Sequence, residues 1–104
     1  MNDTEKLQNI LRDIQATRQQ LISTSSQIRE FEVTLEALSK HELDKKIYRQ
    51  IGALLFEVDD RKSMVEQLES SIKTLKEHLN MLEKQDEELK GIYDNMLSTI
   101  ETND

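Results

Sequence analysis

The chain has 104 residues, which is enough for one domain. Charged residues make up 34% of it and hydrophobic residues only 36%, a composition that suits long helices packed along a seam better than a compact core. The net charge is −7, so duplex DNA and anionic membranes would be repelled, and we expect neither nucleic acid nor a membrane as a partner. Cysteine is absent, which excludes disulfides, zinc–thiolate sites and a thiol nucleophile. No apolar run has the length of a membrane span or a signal peptide, so we expect a soluble, intracellular protein.

The first predicted element is a helix over about residues 4–41. Asn2, Asp3 or Thr4 can cap its start. Apolar residues then recur as a heptad with two seam positions, which predicts a helix that packs against another helix along one face. Position a holds Leu7, Ile14, Leu21, Ile28 and Leu35, and position d holds Ile10, Thr17, Thr24, Phe31 and Leu38.

The helical pattern stops in the middle of the chain, where β-branched and aromatic residues surround a lone glycine. This composition predicts a β-hairpin over about residues 45–58, with Gly52 taking the positive φ that a tight turn needs. Apolar side chains fall on both faces of the hairpin, with Ile47, Ile51, Leu54, Phe56 and Val58 on one face and Tyr48 and Leu55 on the other. A two-stranded ribbon alone is marginal in water. We therefore expect the hairpin to contact other chains in an oligomer.

A second helix is predicted over about residues 60–101, capped by Asp59 or Asp60. Its position a holds Val65, Ile72, Leu79, Asp86, Tyr93 and Ile100, and its position d holds Leu68, Leu75, Leu82, Leu89 and Met96. An antiparallel pairing of the two seams places Asp86, the only charged seam residue, opposite Thr17 and next to Arg18. A charge in a seam is tolerable only with a partner, so we expect Arg18 to pair with it.

The apolar stripe widens beyond the seam near the two chain ends. Leu11 adds to it on the first helix, and Ile92 and Leu97 add to it on the second. Some of these side chains should face solvent, and exposed apolar patches generally mark binding sites. The alternative is that they simply widen the contact between the two helices.

Catalytic and metal-binding patterns are absent from the sequence. His41 and His78 lie far apart without neighbours of metal-ligand type, and surface histidine is the better interpretation of both. The carboxylates are spread along helices, and no phosphate-binding loop is present. We expect a protein that is not an enzyme and that has no cofactor.

Residues 48–55 (Tyr-Arg-Gln-Ile-Gly-Ala-Leu-Leu) resemble the Tyr-Lys-x-x-Gly-x-Leu strand–turn signature of prefoldin β-class subunits. Residues 72–75 (Ile-Lys-Thr-Leu) and 82–86 (Leu-Glu-Lys-Gln-Asp) look like the second-helix motifs of that family. The sequence departs from the family where Phe56-Glu57 replaces a pair of Val-Lys type. The resemblance implies a mainly α fold, in which one β-hairpin joins an antiparallel two-helix coiled coil and contributes to an oligomeric β-barrel platform.

The same resemblance implies a function and two sets of site residues. An ATP-independent cytoplasmic holdase subunit would assemble with α-class and other β-class subunits into a hexamer, bind unfolded polypeptide at its coiled-coil tips and deliver it to a group II chaperonin. Oligomerisation would use Ile47, Tyr48, Ile51, Gly52, Leu54, Leu55, Phe56 and Val58. Client binding would use Leu7, Ile10, Leu11, Ile14, Leu89, Ile92, Tyr93, Met96, Leu97 and Ile100. The alternative hypothesis is a structural coiled-coil adaptor or tether, in which the middle segment is a linker and the seams pair between chains.

Overall fold

The computed structural model describes residues 2–102 and shows two long helices joined by a β-hairpin. Helix α1 spans Asp3–Ser39, strands β1 and β2 span Ile47–Ile51 and Leu54–Val58, and helix α2 spans Arg61–Thr102. The two helices run antiparallel as a single arm, and the molecule measures 72 × 25 × 16 Å. The mainly α fold with one hairpin is confirmed. The first helix ends slightly earlier than the sequence predicted, because residues 40–46 turn towards the hairpin.

Both helices begin at a capping side chain. The side chain of Asn2 accepts a hydrogen bond from the backbone N–H of Glu5 at 2.8 Å, so Asn2 is the cap among the three candidates. Asp60 does the same for α2, accepting from the backbone N–H of Ser63 at 3.0 Å. Each cap satisfies one of the N–H groups that the first turn of a helix leaves without a partner.

The core of the arm lies along the predicted seam. The side chains that become buried all occupy positions a or d, and they are Ile14, Thr17, Thr24, Ile28 and Leu38 of α1 with Ile72 and Leu82 of α2. Leu82 is the most buried, with 2% of its surface exposed. Burying a leucine side chain contributes roughly 1.5–3 kcal/mol to the free energy of folding. A row of buried residues along the seam therefore holds the two helices together.

The predicted charge pair in the seam is present. Nε of Arg18 donates to Oδ1 of Asp86 at 3.0 Å, and the Asp86 side chain is 21% exposed. The expectation that Arg18 neutralises this carboxylate is confirmed. This contact joins residue 18 to residue 86 and supports the predicted antiparallel register of the arm.

The hairpin has the predicted turn. Ile51 pairs with Leu54, which leaves Gly52 and Ala53 as a two-residue loop. Gly52 has a φ of 59°, and within residues 2–102 no residue other than glycine has a positive φ. A positive φ at the first loop residue alone is the pattern of a type II′ turn, whose twist matches that of the flanking strands.

The tether hypothesis does not describe this fold. It required a linker in the middle segment and seams that pair between chains. The middle segment is instead an ordered hairpin, and the two seams pack against each other within one chain.

Candidate functional site

The first candidate surface is the hairpin, whose apolar side chains lie in solvent. Their exposed fractions run from 48% for Phe56 to 67% for Leu55. We call this set the hairpin surface: Tyr48, Ile51, Leu54, Leu55 and Phe56. Ile47 and Val58, at the base of the hairpin, are half-buried.

The strand register distributes these side chains over two faces. Directly paired residues lie on the same face of an antiparallel ribbon. The Ile47–Val58, Arg49–Phe56 and Ile51–Leu54 pairs therefore share one face. The Tyr48–Glu57 and Gln50–Leu55 pairs share the other. Apolar side chains on both faces leave neither face suited to water, as the sequence predicted.

The backbone of the hairpin is also open. The sheet formed by the described residues has two strands, so β1 and β2 each present one outer edge. A free edge carries N–H and C=O groups that readily pair with a strand of another chain. The hairpin therefore offers both apolar faces and backbone edges to a partner.

A cleft of about 460 Å³ separates the hairpin from the arm. Tyr48, Arg49 and Gln50 line it on the hairpin side, and Phe31 and Leu68 are among the arm residues that face them. The hairpin thus contacts the arm incompletely, which leaves part of its face towards the helices accessible as well.

The second candidate surface is the end of the arm furthest from the hairpin. Leu11 and Ile92 are 42% and 46% exposed. The remaining predicted client-binding residues, apart from Ile14, are half-buried: Leu7, Ile10, Leu89, Tyr93, Met96, Leu97 and Ile100. We call these nine residues the distal patch. Within it, Met96 and Ile100 line a groove of about 270 Å³ whose α1 side is formed by Asp3 and Lys6.

Ile14 does not belong to this surface, although the sequence analysis included it. Its side chain is 5% exposed and packs inside the seam. Ile14 occupies position a, and the second helix covers that position, so its role is packing and it is removed from the client-binding set.

Two kinds of residue were not predicted from the sequence. Ile22, Val33 and Met81 are apolar side chains on the outer faces of the arm and are 56–65% exposed. The second kind is Arg61, whose guanidinium donates to the carbonyls of Leu38 and His41. The exposed apolar residues could have been found in the sequence, because they are apolar residues that lie outside the heptad positions a and d. Nothing near Arg61 in the sequence indicates its contacts.

Within residues 2–102, neither a metal-binding cluster nor a membrane-spanning helix is present. No group of three or more His, Cys, Asp or Glu side chains in this part of the chain is arranged to hold a metal ion. Neither of its helices combines the length and the apolar character needed to cross a bilayer.

The arm and the open hairpin are features expected of a subunit of a larger coiled-coil assembly, and comparison with known proteins identifies the family. A family model described as prefoldin subunit matches residues 1–101. The chain therefore belongs to the prefoldin subunit family, whose members are chaperone subunits that assemble with one another.

The similar proteins are β-class subunits, as the resemblance in the sequence indicated. The chain is 31% identical over 106 residues to prefoldin subunit beta of Thermoplasma acidophilum, covering 95% of this chain and 86% of that protein. It is 29% identical over 99 residues to prefoldin subunit beta of Thermoplasma volcanium, covering 95% and 80%. The crystal structure of the prefoldin beta subunit from Thermococcus strain KS-1 has the same fold, with a TM-score of 0.84, 22% identity and coverage of 97% of this chain and 88% of that one.

Proposed function

We propose that this chain is the β-class subunit of an ATP-independent holdase. Its hairpin joins α-class and other β-class subunits in a hexamer, and its distal patch holds unfolded polypeptide. The complex then delivers that polypeptide to a group II chaperonin in the cytoplasm.

The observation that carries the proposal is the separation of two apolar surfaces by a long arm. The hairpin surface lies at one end of a molecule 72 Å long, and the distal patch lies at the other. Exposed apolar surface is costly in water unless a partner covers it. Two such surfaces far apart imply two different partners, one for assembly and one to be held.

The modest exposure of the distal patch fits a holdase that must also release. Leu11 and Ile92 expose less than half of their surfaces, so one arm gains only a small apolar contact with a client. Several arms fixed to one platform raise the effective concentration of such contacts, and the complex can then hold a client that no single arm retains. Each contact still breaks easily, which permits transfer.

The experiment combines the chain with an α-class prefoldin subunit and measures complex mass by light scattering. The complex is then tested for its ability to suppress aggregation of a protein diluted out of guanidinium chloride, in the absence of ATP. We expect assembly and suppression of aggregation. Failure of the chain to assemble with any prefoldin subunit would refute the proposed platform, and assembly without suppression of aggregation would refute the proposed holding activity.

A variant pair separates holding from assembly. Ile92→Asp with Met96→Asp places two charges in the distal patch and should leave assembly intact while weakening suppression of aggregation. Asn80→Asp with Gln85→Asp adds the same charge to exposed polar positions of α2 and should change neither property. Equal suppression by the two double variants would show that the distal patch is not the client site.

A further inference from the structure

Exposed apolar residues recur along α1 every eleven residues, at Leu11, Ile22 and Val33. Eleven residues make close to three full turns of an α-helix, so these side chains lie almost in line on one side of α1, about 16 Å apart. Arg18 and Arg29 are exposed and precede Ile22 and Val33 by four residues each. We call these five residues the α1 stripe. It is apolar and basic, although the chain carries a net charge of −7.

Helix α2 carries a stripe with the same spacing and the opposite charge. Met81 and Ile92 are exposed and lie eleven residues apart. Glu77 and Glu88 are exposed and precede them by four residues each. We call these four residues the α2 stripe. Within residues 2–102, neither of these glutamates forms an ion pair, and neither does Arg29 of the α1 stripe.

The two stripes lie on opposite sides of the arm. Ile22 follows the seam residue Leu21, whereas Met81 precedes the seam residue Leu82. In two antiparallel helices that face each other along a seam, a residue just after the seam on one helix and a residue just before it on the other point to opposite sides. One arm therefore cannot bring its two stripes together, but the α1 stripe of one arm can meet the α2 stripe of another.

The contact between Arg18 and Asp86 fixes the heights of the two stripes along the arm. Counted from this contact along both helices, Met81 lies level with Ile22 to within one residue, about 1.5 Å. The other apolar residue of the α2 stripe is then level with the first residue of the α1 stripe. The same heights apply between neighbouring arms that start from one platform and run side by side.

We propose that neighbouring arms of the assembled complex pack side by side, with the α1 stripe of one copy against the α2 stripe of the next. The inference rests on the proposed assembly through the hairpins, which starts all arms at one level. Apolar residues then meet apolar residues, and each arginine lies within about 4.5 Å, measured along the arm, of a glutamate of the neighbouring copy. The contact is heterologous, so each copy uses one side of its arm for each neighbour.

The charges that border the stripes weaken this match without reversing it. Between residues 11 and 33, the charged residues on the margins of the α1 stripe are Arg12, Glu30 and Glu32, and between residues 77 and 92 those on the margins of the α2 stripe are His78 and Lys84. With histidine neutral, the margins carry −1 and +1, against +2 and −2 on the stripes themselves. Lys84 is the mismatched residue, because the pairing brings it towards Arg18 of the neighbouring copy. Beyond Val33, Glu36 and Lys40 pair with each other at 3.0 Å and cancel.

A contact of this size is too small to join two free chains, and the platform supplies what it lacks. Arms fixed to one platform have a high effective concentration, so a few apolar and charged contacts suffice to pair them. Leu11 and Ile92 also belong to the distal patch, where a client competes with the neighbouring arm. Ile22 and Met81 lie outside that patch and test the pairing alone.

The test is disulfide trapping, which suits this chain because it contains no cysteine. The variants Ile22→Cys and Met81→Cys are mixed in equal amounts and assembled with an α-class prefoldin subunit that lacks cysteine. The complex is isolated by its mass and then mildly oxidised. Disulfide-linked pairs of this chain are counted on a denaturing gel without reductant.

Val33→Cys mixed with Met81→Cys is the matched control. Both positions lie on the stripes, but their heights differ by about 16 Å, whereas a disulfide needs two Cα atoms within about 7 Å. The level pair of Ile22→Cys and Met81→Cys should be trapped about tenfold more often than this control. Complexes that contain Ile22→Cys alone or Met81→Cys alone should give as few linked pairs as the control, since like stripes do not meet.

A level pair trapped no more often than the control would overturn the inference. Trapping in either single-variant complex at the yield of the level pair would overturn it as well. Both results leave the proposed function intact, because the complex has already formed before oxidation. A chain that forms no complex would instead remove the proposed function, and this inference with it.

Discussion

Arg61 offers the sharpest test of how the arm is joined to the hairpin. It is the first residue of α2, and its half-buried guanidinium donates to the carbonyl of Leu38 in the last turn of α1 and to the carbonyl of His41 just beyond that helix. The last carbonyls of a helix have no partner within the helix, and they form the negative end of its dipole. The Arg61 side chain, at the start of α2, thus caps the C-terminal end of α1.

The magnitude follows from these two hydrogen bonds. A hydrogen bond to a charged group contributes roughly 1.5–3 kcal/mol when buried, and a cation at a helix C-terminus roughly 0.3–1 kcal/mol. Because the Arg61 side chain is partly exposed, we take the lower part of these ranges and expect Arg61→Ala to lower the free energy of unfolding by about 2 kcal/mol. Alanine is a strong helix former, so the substitution itself costs α2 nothing.

The assay is urea unfolding followed by circular dichroism at one fixed protein concentration. Arg61→Lys keeps the charge but loses the forked donor geometry, and it should lose about half as much stability. Lys62→Ala, at the exposed neighbouring position, is the control and should stay within about 0.5 kcal/mol of the unmodified chain. An Arg61→Ala variant as stable as this control would refute the role assigned to Arg61.

Four further substitutions and one control, Met81→Ala, test the seam and the turn by the same unfolding measurement. Asp86→Leu replaces a half-buried charge in the seam with an apolar side chain and should raise the free energy of unfolding by about 1 kcal/mol. Arg18→Ala should lower the free energy of unfolding by up to about 1 kcal/mol. A destabilising Asp86→Leu would contradict the first expectation. Gly52→Ala should lower the free energy of unfolding by about 1 kcal/mol, because a φ of 59° disfavours any residue with a Cβ. The loss comes from the backbone alone, since an added Cβ would meet nothing within 4 Å. Unchanged stability would mean that the turn has a different conformation. Leu82 is 2% exposed, so Leu82→Ala should lower the free energy of unfolding by about 2–5 kcal/mol. Met81 is 56% exposed, so Met81→Ala should lower it by less than about 0.5 kcal/mol. Similar losses in the two variants would show that Leu82 is not a core residue.

The elements that depend on local periodicity could be predicted from the sequence. A heptad specifies which face of a helix is covered, and the buried residues, from Ile14 to Leu82, all lie at the predicted positions. The hairpin was equally accessible to prediction, because a single glycine among β-branched and aromatic residues marks both the strands and the turn. The Arg18–Asp86 pair followed from the register, since a charge in a seam requires a partner.

The features that depend on contacts between distant parts of the chain were harder to predict. Arg61 closes the end of a helix that lies more than twenty residues earlier, and no spacing rule connects the two positions. At the far end of the arm, the heptad places both Leu7 and Ile14 at position a, yet Ile14 is 5% exposed and Leu7 is only half-buried. That difference depends on how completely the two helices cover each other near the chain ends, and the heptad pattern does not measure this.

The central claim is that the chain assembles with other subunits through its exposed hairpin. The mass of an Ile51→Asp variant tests this claim most directly. Ile51 is 56% exposed, so a charge there costs the isolated chain little but would be buried in an assembly. Light scattering in the presence of an α-class prefoldin subunit should find this variant as a free chain of 12.2 kDa with its helical signal unchanged, while the unmodified chain enters a larger complex. An Ile51→Asp variant that enters the complex as readily as the unmodified chain would contradict the account.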